Sequence, residues 1–161
     1  MEAQITNMAS NEVQDTDVEL SRWVTFRIGE EVYGIPVNQT KEVLRVTEIA
    51  PVPGAPAYVL GIINLRGNVV TVVDMRTRLG MPYQEPTDLT RIIILEASDQ
   101  VAGILVDSIR EVVQLDKSAV EPAPNTGSDA DDIINGVAHH NDQLLIMLDA
   151  YRMLGVDHNS L

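Results

Sequence analysis

The sequence contains no cysteine. That excludes disulfides, thiolate metal sites and a cysteine nucleophile, and it fits a reducing cytosol. Aromatic residues are scarce, with one Trp, one Phe and four Tyr making up 4% of 161 residues. A core must therefore be built from aliphatic side chains, and the 34 Val and Ile residues are the obvious material. Their β-branched side chains favour strands. Basic residues are also few: 11 Lys and Arg against 24 Asp and Glu give a formal charge of −13. A chain this acidic repels phosphate backbones and anionic lipid surfaces, so neither nucleic acid nor a membrane is an expected partner. No apolar run approaches the roughly 18 to 20 residues of a membrane helix, and direct insertion is not expected. Nor does the N-terminus pair a basic stretch with an apolar one, so no signal peptide is expected.

What is present is 45% apolar residues in a length suited to one domain, or to two small ones sharing a core. Residues 1–21 carry Glu2, Glu12, Asp15, Asp17 and Glu19 with no basic residue and no sustained apolar period. They read as a disordered acidic tail, followed by a folded region over 22–155 and a short C-terminal tail over 156–161. Trp23 to Ile28 alternates, Gly29-Glu30-Glu31 turns, and Val32 to Val37 returns, which predicts a hairpin. Lys41 to Val46 predicts another strand and Ala50 to Pro56 a Pro-rich loop. Ile62 to Leu65 and Val69 to Asp74 predict a second hairpin about Arg66-Gly67-Asn68. Asp74 then caps a short helix over 75–79.

The second half repeats this plan, with strands over 91–96, 101–107 and 109–115, one capped turn at 116–119, a loop over 121–132, and a hairpin over 133–148 about Asn141-Asp142. Asp149 caps a last helix that ends at Gly155. A shift of 69 superposes Val32, Gly34, Ile35, Val37, Glu42 and Val43 on Val101, Gly103, Ile104, Val106, Glu111 and Val112. A shift of 75 superposes Gly61, Asp74, Leu79 and Gly80 on Gly136, Asp149, Leu154 and Gly155. Matching glycines, turns and capped helices indicate two tandem β units, over about 22–80 and 91–155. A unit of roughly 60 residues buries little surface alone, and closing a sheet removes its edges. The fold expected is all-β: two tandem five-stranded barrels of SH3-like size, packed on a shared core with short connecting helices.

Chemistry is hard to find. Gly61 to Gly67 has glycines but lies in a hairpin and lacks the Gly-Lys-Ser/Thr ending of a phosphate loop. His139 and His140 are neighbours on a predicted strand and point to opposite faces, and His158 lies in the tail, so no metal site is expected. Asp129, Asp131 and Asp132 lack calcium-loop spacing. Asp74 and Asp149 hold equivalent positions in the repeat, as the paired carboxylates of an aspartic hydrolase would. Each is followed by Met-Arg or Ala-Tyr rather than Thr/Ser-Gly, and local capping explains both. No catalytic residue and no cofactor is expected. What remains are surfaces. Arg66 at a hairpin tip is either a solvated turn residue or an anchor for a partner. Val37, Thr40 and Val43, at the exit of the first hairpin, are either core or an apolar patch that needs a partner.

The segments Val32-Tyr33-Gly34-Ile35, Glu42-Val43, Ile49 to Pro53, Gly61 to Gly67, Val72-Val73-Asp74 and Gly103 to Asp107 together resemble the CheW family of chemotaxis coupling proteins. The likeness runs from about Trp23 to Gly155, and the Asn64-Leu65-Arg66-Gly67 tip behind its Pro-rich loop is its most specific part. CheW-like domains also occur in the kinase CheA and in CheV, but a chain this short matches a free-standing coupler. The resemblance implies a non-catalytic adaptor of two five-stranded barrels. Such an adaptor is cytoplasmic and recruited to membrane-associated arrays, where it links the cytoplasmic tips of chemoreceptors to the regulatory domain of the histidine kinase CheA. Carried over by position, Val24, Val37, Thr40 and Val43 would face the kinase, with Thr40 departing from the usual apolar residue. Arg66, Glu42, Ile109 and Val112 would lie on the receptor side. The loop at Thr126 lacks the aromatic some members carry. A coupler of another receptor–kinase pathway, such as one for twitching motility, would look the same in sequence.

Overall fold

Alternation of apolar and polar residues governs the structure, a computed structural model that describes residues 19–127 and 132–155. Strands β1 (Leu20–Ile28) and β2 (Glu31–Pro36) form a hairpin turning on Gly29-Glu30. A 3-10 turn over Val37–Gln39 leads to β3 (Thr40–Arg45). Strands β4 (Val59–Leu65) and β5 (Asn68–Asp74) are joined by a two-residue turn, Arg66-Gly67, and helix α1 (Met75–Arg78) follows. Next come β6 (Arg91–Ala97), β7 (Gln100–Val106) and β8 (Ser108–Asp116), then a 3-10 turn over Lys117–Ala119 capped by the Asp116 carboxylate. Strands β9 (Ile134–His140) and β10 (Gln143–Leu148) turn on Asn141-Asp142, and α2 (Ala150–Leu154) ends at Gly155 in the left-handed conformation.

The ten strands form two five-stranded sheets, ordered β8-β1-β2-β10-β9 and β3-β6-β7-β5-β4. The all-β, two-sheet architecture is the expected one, but the sheets do not divide at 22–80 and 91–155. The second sheet is built from one stretch, Thr40 to Val106, and the first from Leu20–Pro36 together with Ser108–Leu148. Within each half the first two strands pair with each other. The third strand then leaves: β3 lies on β6 instead of β1, and β8 takes the edge of β1 that β3 left open. Two parallel pairings, β2 with β10 and β5 with β7, complete the exchange. In repeat numbering both sheets run 3-1-2-5-4, with strands 1 and 2 from one half and 3, 4 and 5 from the other.

Period-two alternation then feeds three apolar clusters. Trp23, Val32, Val113, Leu145 and Met147 fill the first sheet's curl, and Ile63, Val72, Ile92, Ile94 and Leu105 fill the second. Phe26, Ile35, Ile93, Leu95, Ile104 and Leu148 form the core shared between the sheets. Strand β6 is buried on both faces, Ile92 and Ile94 to one side and Ile93 and Leu95 to the other, which is why it reads as a continuous apolar run. The glycines matched across the repeat mark a close approach of two chains. A Cβ at Gly61 would lie 2.0 Å from the Ala50 carbonyl oxygen, and one at Gly136 2.4 Å from that of Glu121. Beside each glycine sits a one-rung antiparallel bridge, Ala50 to Ile62 and Glu121 to Val137. Strand β1 also begins before residue 22. Leu20 and Ser21 pair with Asp116 and Leu115, and the Ser21 hydroxyl accepts from the Trp23 indole at 2.8 Å. The rest of the acidic tail, the C-terminal tail with His158, and Asp129 and Asp131 lie outside the described residues.

Candidate functional site

The β4–β5 tip is held by its own sequence. The Asn64 side-chain oxygen accepts from the Gly67 N–H at 2.8 Å, and the turn needs positive φ at both central residues, 52° at Arg66 and 88° at Gly67. Two-residue hairpins prefer Asn, Asp or Gly there, so a long cationic side chain at Arg66 sits on a backbone that does not favour it. Its Nη1 and Nη2 both donate to the Glu42 carboxylate. That hydrogen bond, then the Glu42 charge, raises the Arg66 pKa. Glu42 is on β3 and Arg66 adjoins β4, the two edges of the second sheet, so the ion pair closes the seam where the sheet curls on itself. Arg66 remains largely exposed, at 67% of its side chain, against 26% for Glu42. The Ala50–Ile62 bridge fixes the start of the Pro-rich loop against β4.

The apolar residues singled out in the sequence are all at least partly exposed. Val43 pairs with Ile93 and is 44% exposed, since β3 is an edge strand. Val37 is half-buried, and its carbonyl accepts the Thr40 hydroxyl at 2.7 Å. Val24 and Ile109 pack partly against the shared core, and Val112 is 52% exposed. Val24 and Val112 are cross-strand partners on β1 and β8, so one residue from each of the two sets that the resemblance implies meets there. The structure thus brings together Arg66 with Glu42, Val24 with Val112, and Val37 with Thr40.

Asp74 and Asp149 are buried but differently engaged. Asp74 caps α1, accepting from the Thr77 N–H at 3.2 Å and hydroxyl at 2.6 Å. Asp149 stands at the N-cap of α2 without a side-chain cap bond, and Arg152 stands where the first copy has Thr77. Gln39 supplies the cap, accepting from the Ala150 N–H at 2.7 Å while donating to Asp149 at 2.8 Å. Each carboxylate is tied to its own partners. Among the described residues no group of three His, Asp or Glu is placed to hold a metal, and no helix is long and apolar enough to cross a membrane.

Sequence reasoning missed the side chains that lock the crossings between sheets. Gln39 ends one crossing. At the other, Asp107 accepts from Arg76 Nε at 3.1 Å, Arg76 Nη2 at 2.9 Å and the Gly29 N–H at 2.8 Å, tying α1 to the β1–β2 turn. Asn38 and Asp107 are equivalent under the shift of 69, the one signal that could have pointed here.

The CheW-like domain family matches residues 22–157. The chain is 31% identical over 144 residues to a chemotaxis protein CheW of Helicobacter pylori, covering 89% of this chain and 87% of that protein. It is 36% identical over 134 residues to the chemotaxis protein CheW of Bacillus subtilis, covering 83% and 86%. Among solved structures it is similar to the scaffolding protein TtCheW from Thermoanaerobacter tengcongensis, with a TM-score of 0.79 at 30% identity, covering 89% of this chain and 98% of that one.

Proposed function

The chain belongs to the CheW-like domain family, and on that premise we propose that it works without catalysis, coupling chemoreceptors to the histidine kinase CheA in chemotaxis signalling. It acts in the cytoplasm at membrane-associated receptor arrays. Val24, Val37, Thr40 and Val43 face the kinase regulatory domain, and Arg66, Glu42, Ile109 and Val112 face the receptor tip. The observation that carries the reading is Arg66, a bulky cation kept on a positive-φ turn position and still exposed. A guanidinium presents a planar fork of donors suited to carboxylates or carbonyls on a helical partner.

The test is a reconstituted mixture of receptor, kinase and this protein carrying Arg66→Asn. Asn suits the turn, so the fold is kept. The kinase is expected to be bound still but to lose receptor control, and Arg66→Lys is expected to restore control only in part. Receptor control equal to wild type in the Asn variant would refute the receptor-side role of Arg66.

A further inference from the structure

Strand β3 is an edge of the second sheet, and its side chains alternate between two faces. Glu42 and Leu44 share one face with their partners Ile94 and Ile92. Thr40, Val43 and Arg45 share the other with Leu95, Ile93 and Arg91 of β6. Arg45 and Arg91 therefore stand directly opposite each other. Facing residues of an antiparallel pair bring their Cβ atoms to about 5 Å, where like charges repel. Neither guanidinium has an ion-pair partner among the described residues. Arg91 is held by one nitrogen. Its Nη1 donates to the Asp88 and Thr90 carbonyl oxygens, each at 2.8 Å, on a turn closed by the Thr87 N–H donating to the Thr90 hydroxyl at 2.8 Å. Arg45 is exposed, and its side chain is bonded to none of the described residues. The acids of the two strands are engaged elsewhere: Glu42 with Arg66, and Glu96 with Lys41 at the β3 bulge, at 3.9 Å. In a chain with 24 acidic residues against 11 basic ones, two cations thus share a face on which neither strand places an acid.

We propose that Arg45 and Arg91 form a carboxylate clamp for an acidic side chain of the kinase regulatory domain, beside the apolar contact made by Thr40 and Val43. The inference rests on the kinase-side reading of Thr40 and Val43 and extends it to two residues outside that set. The row is continuous, because Val43, 44% exposed, lies between Thr40 and Arg45 on one face of one strand. The clamp is prepared, because two backbone carbonyls fix Arg91 by Nη1 and leave its Nε and Nη2 without a partner among the described residues. Its chemistry selects the occupant. Two opposed guanidinium groups repel until an anion lies between them, and a carboxylate accepts N–H donors from both. An apolar patch rimmed by unpaired cations complements a partner surface with an apolar centre and an acid at its edge. Keeping an edge strand from pairing with another chain calls for a charge on that strand, and does not account for the second cation opposite it.

The test is a calorimetric titration of the kinase regulatory domain with the full chain, either wild type or carrying Arg45→Gln, Arg45→Glu or Val43→Asp. Arg45 is the residue to change, since Arg91 also holds its turn. Arg45→Gln is expected to melt at the wild-type temperature or slightly above it, because the repulsion is relieved. In about 0.1 M NaCl it is expected to bind the kinase domain about tenfold more weakly, the worth of one charge-assisted hydrogen bond. Arg45→Glu is expected to bind more weakly still. Raising NaCl to about 1 M shortens the Debye length from about 10 Å to about 3 Å. The wild-type affinity is then expected to fall toward that of Arg45→Gln, whose own affinity changes little. Wild-type binding by Arg45→Gln beside poor binding by Val43→Asp would overturn the clamp and leave the kinase-side reading standing. Wild-type binding by Val43→Asp would overturn both. A loss of wild-type binding in sodium phosphate but not in NaCl of equal ionic strength would make a phosphate the occupant and overturn the carboxylate partner.

Discussion

Replacing Gly61 by alanine tests how closely the Pro-rich loop is held against the β4–β5 hairpin. The new Cβ would lie 2.0 Å from the Ala50 carbonyl oxygen and 2.9 Å from the Pro51 Cα. Both are backbone atoms, so no side chain can turn aside. The loop must move, and the Ala50 N–H to Ile62 and Ile62 N–H to Ala50 hydrogen bonds, 2.9 and 2.8 Å, are lost. Each contributes about 1 kcal/mol net. The positive φ of 151° adds about 1 kcal/mol or more for a residue with a Cβ. The loss of about 3 kcal/mol corresponds to a fall in thermal midpoint of about 6–12 °C for a chain of this size. Gly80→Ala is the control, with φ of 86° and nothing within 4 Å of its Cβ, so only the backbone part, about 1 kcal/mol, applies. The assay is thermal unfolding followed by circular dichroism, with hydrogen exchange of the Ile62 amide. If Gly61→Ala melts with Gly80→Ala and the Ile62 amide stays protected, the close approach does not hold the loop.

Tyr33 is buried, and burial, then the Glu31 charge, raises its pKa above the usual 10.0. A raised folded pKa gives stability that is present below pH 10 and lost as pH rises through the folded value, so Tyr33→Phe should flatten the alkaline limb of a stability–pH curve. The Thr25 hydroxyl donates to the Glu111 carbonyl at 2.6 Å and accepts from its N–H at 3.1 Å, serving a bulge between Val24 and Phe26. Thr25→Val leaves those backbone groups unpaired and should cost about 1–3 kcal/mol in urea unfolding. Val43→Asp, at an exposed edge position, should leave the fold intact and weaken kinase binding in a titration by about a hundredfold or more, as expected for an unpaired charge buried in an interface.

The elements were largely legible because each has a local cause. Alternation marks β1 and β2, and the apolar run of Ile92 to Leu95 marks a strand buried on both faces. Asn141-Asp142 marks a turn that wants positive φ, and Asp74 followed by Thr77 marks a capped helix. The assignment of strands to sheets was not legible. A repeat tells which strand is third in its half, but not whether it pairs with the first strand of its own half or of the other. That choice is made by the short crossings at Val37–Gln39 and Asp107, and the bonds that lock them join residues far apart in sequence: Gln39 with Asp149, and Asp107 with Arg76 and Gly29. The same non-locality hid the adjacency of Val24 and Val112, which appear only when β8 is placed on β1. For Arg66, spacing left turn and anchor both open, and the positive φ and the Glu42 pair across the seam are features that only the structure shows.

The repeat itself supplies an internal control for those two readings. The β4–β5 and β9–β10 hairpins are equivalent, and both turn through two residues of positive φ, Arg66-Gly67 in one and Asn141-Asp142 in the other. The second uses side chains suited to the backbone. In the first, Gly67 takes the greater share of the conformational demand at φ of 88°, and the position before it carries the longest cation available. Two copies of one scaffold solving the same turn with different chemistry means that the turn alone does not dictate Arg66. The seam alone does not require it either, for in the first sheet the corresponding edges are β8 and β9, and there Asn141 takes the place of the arginine while Glu111 stands at the position equivalent to Glu42. What differs between the copies is the side chain set on the turn, and Arg66 is the one that departs from the backbone's preference.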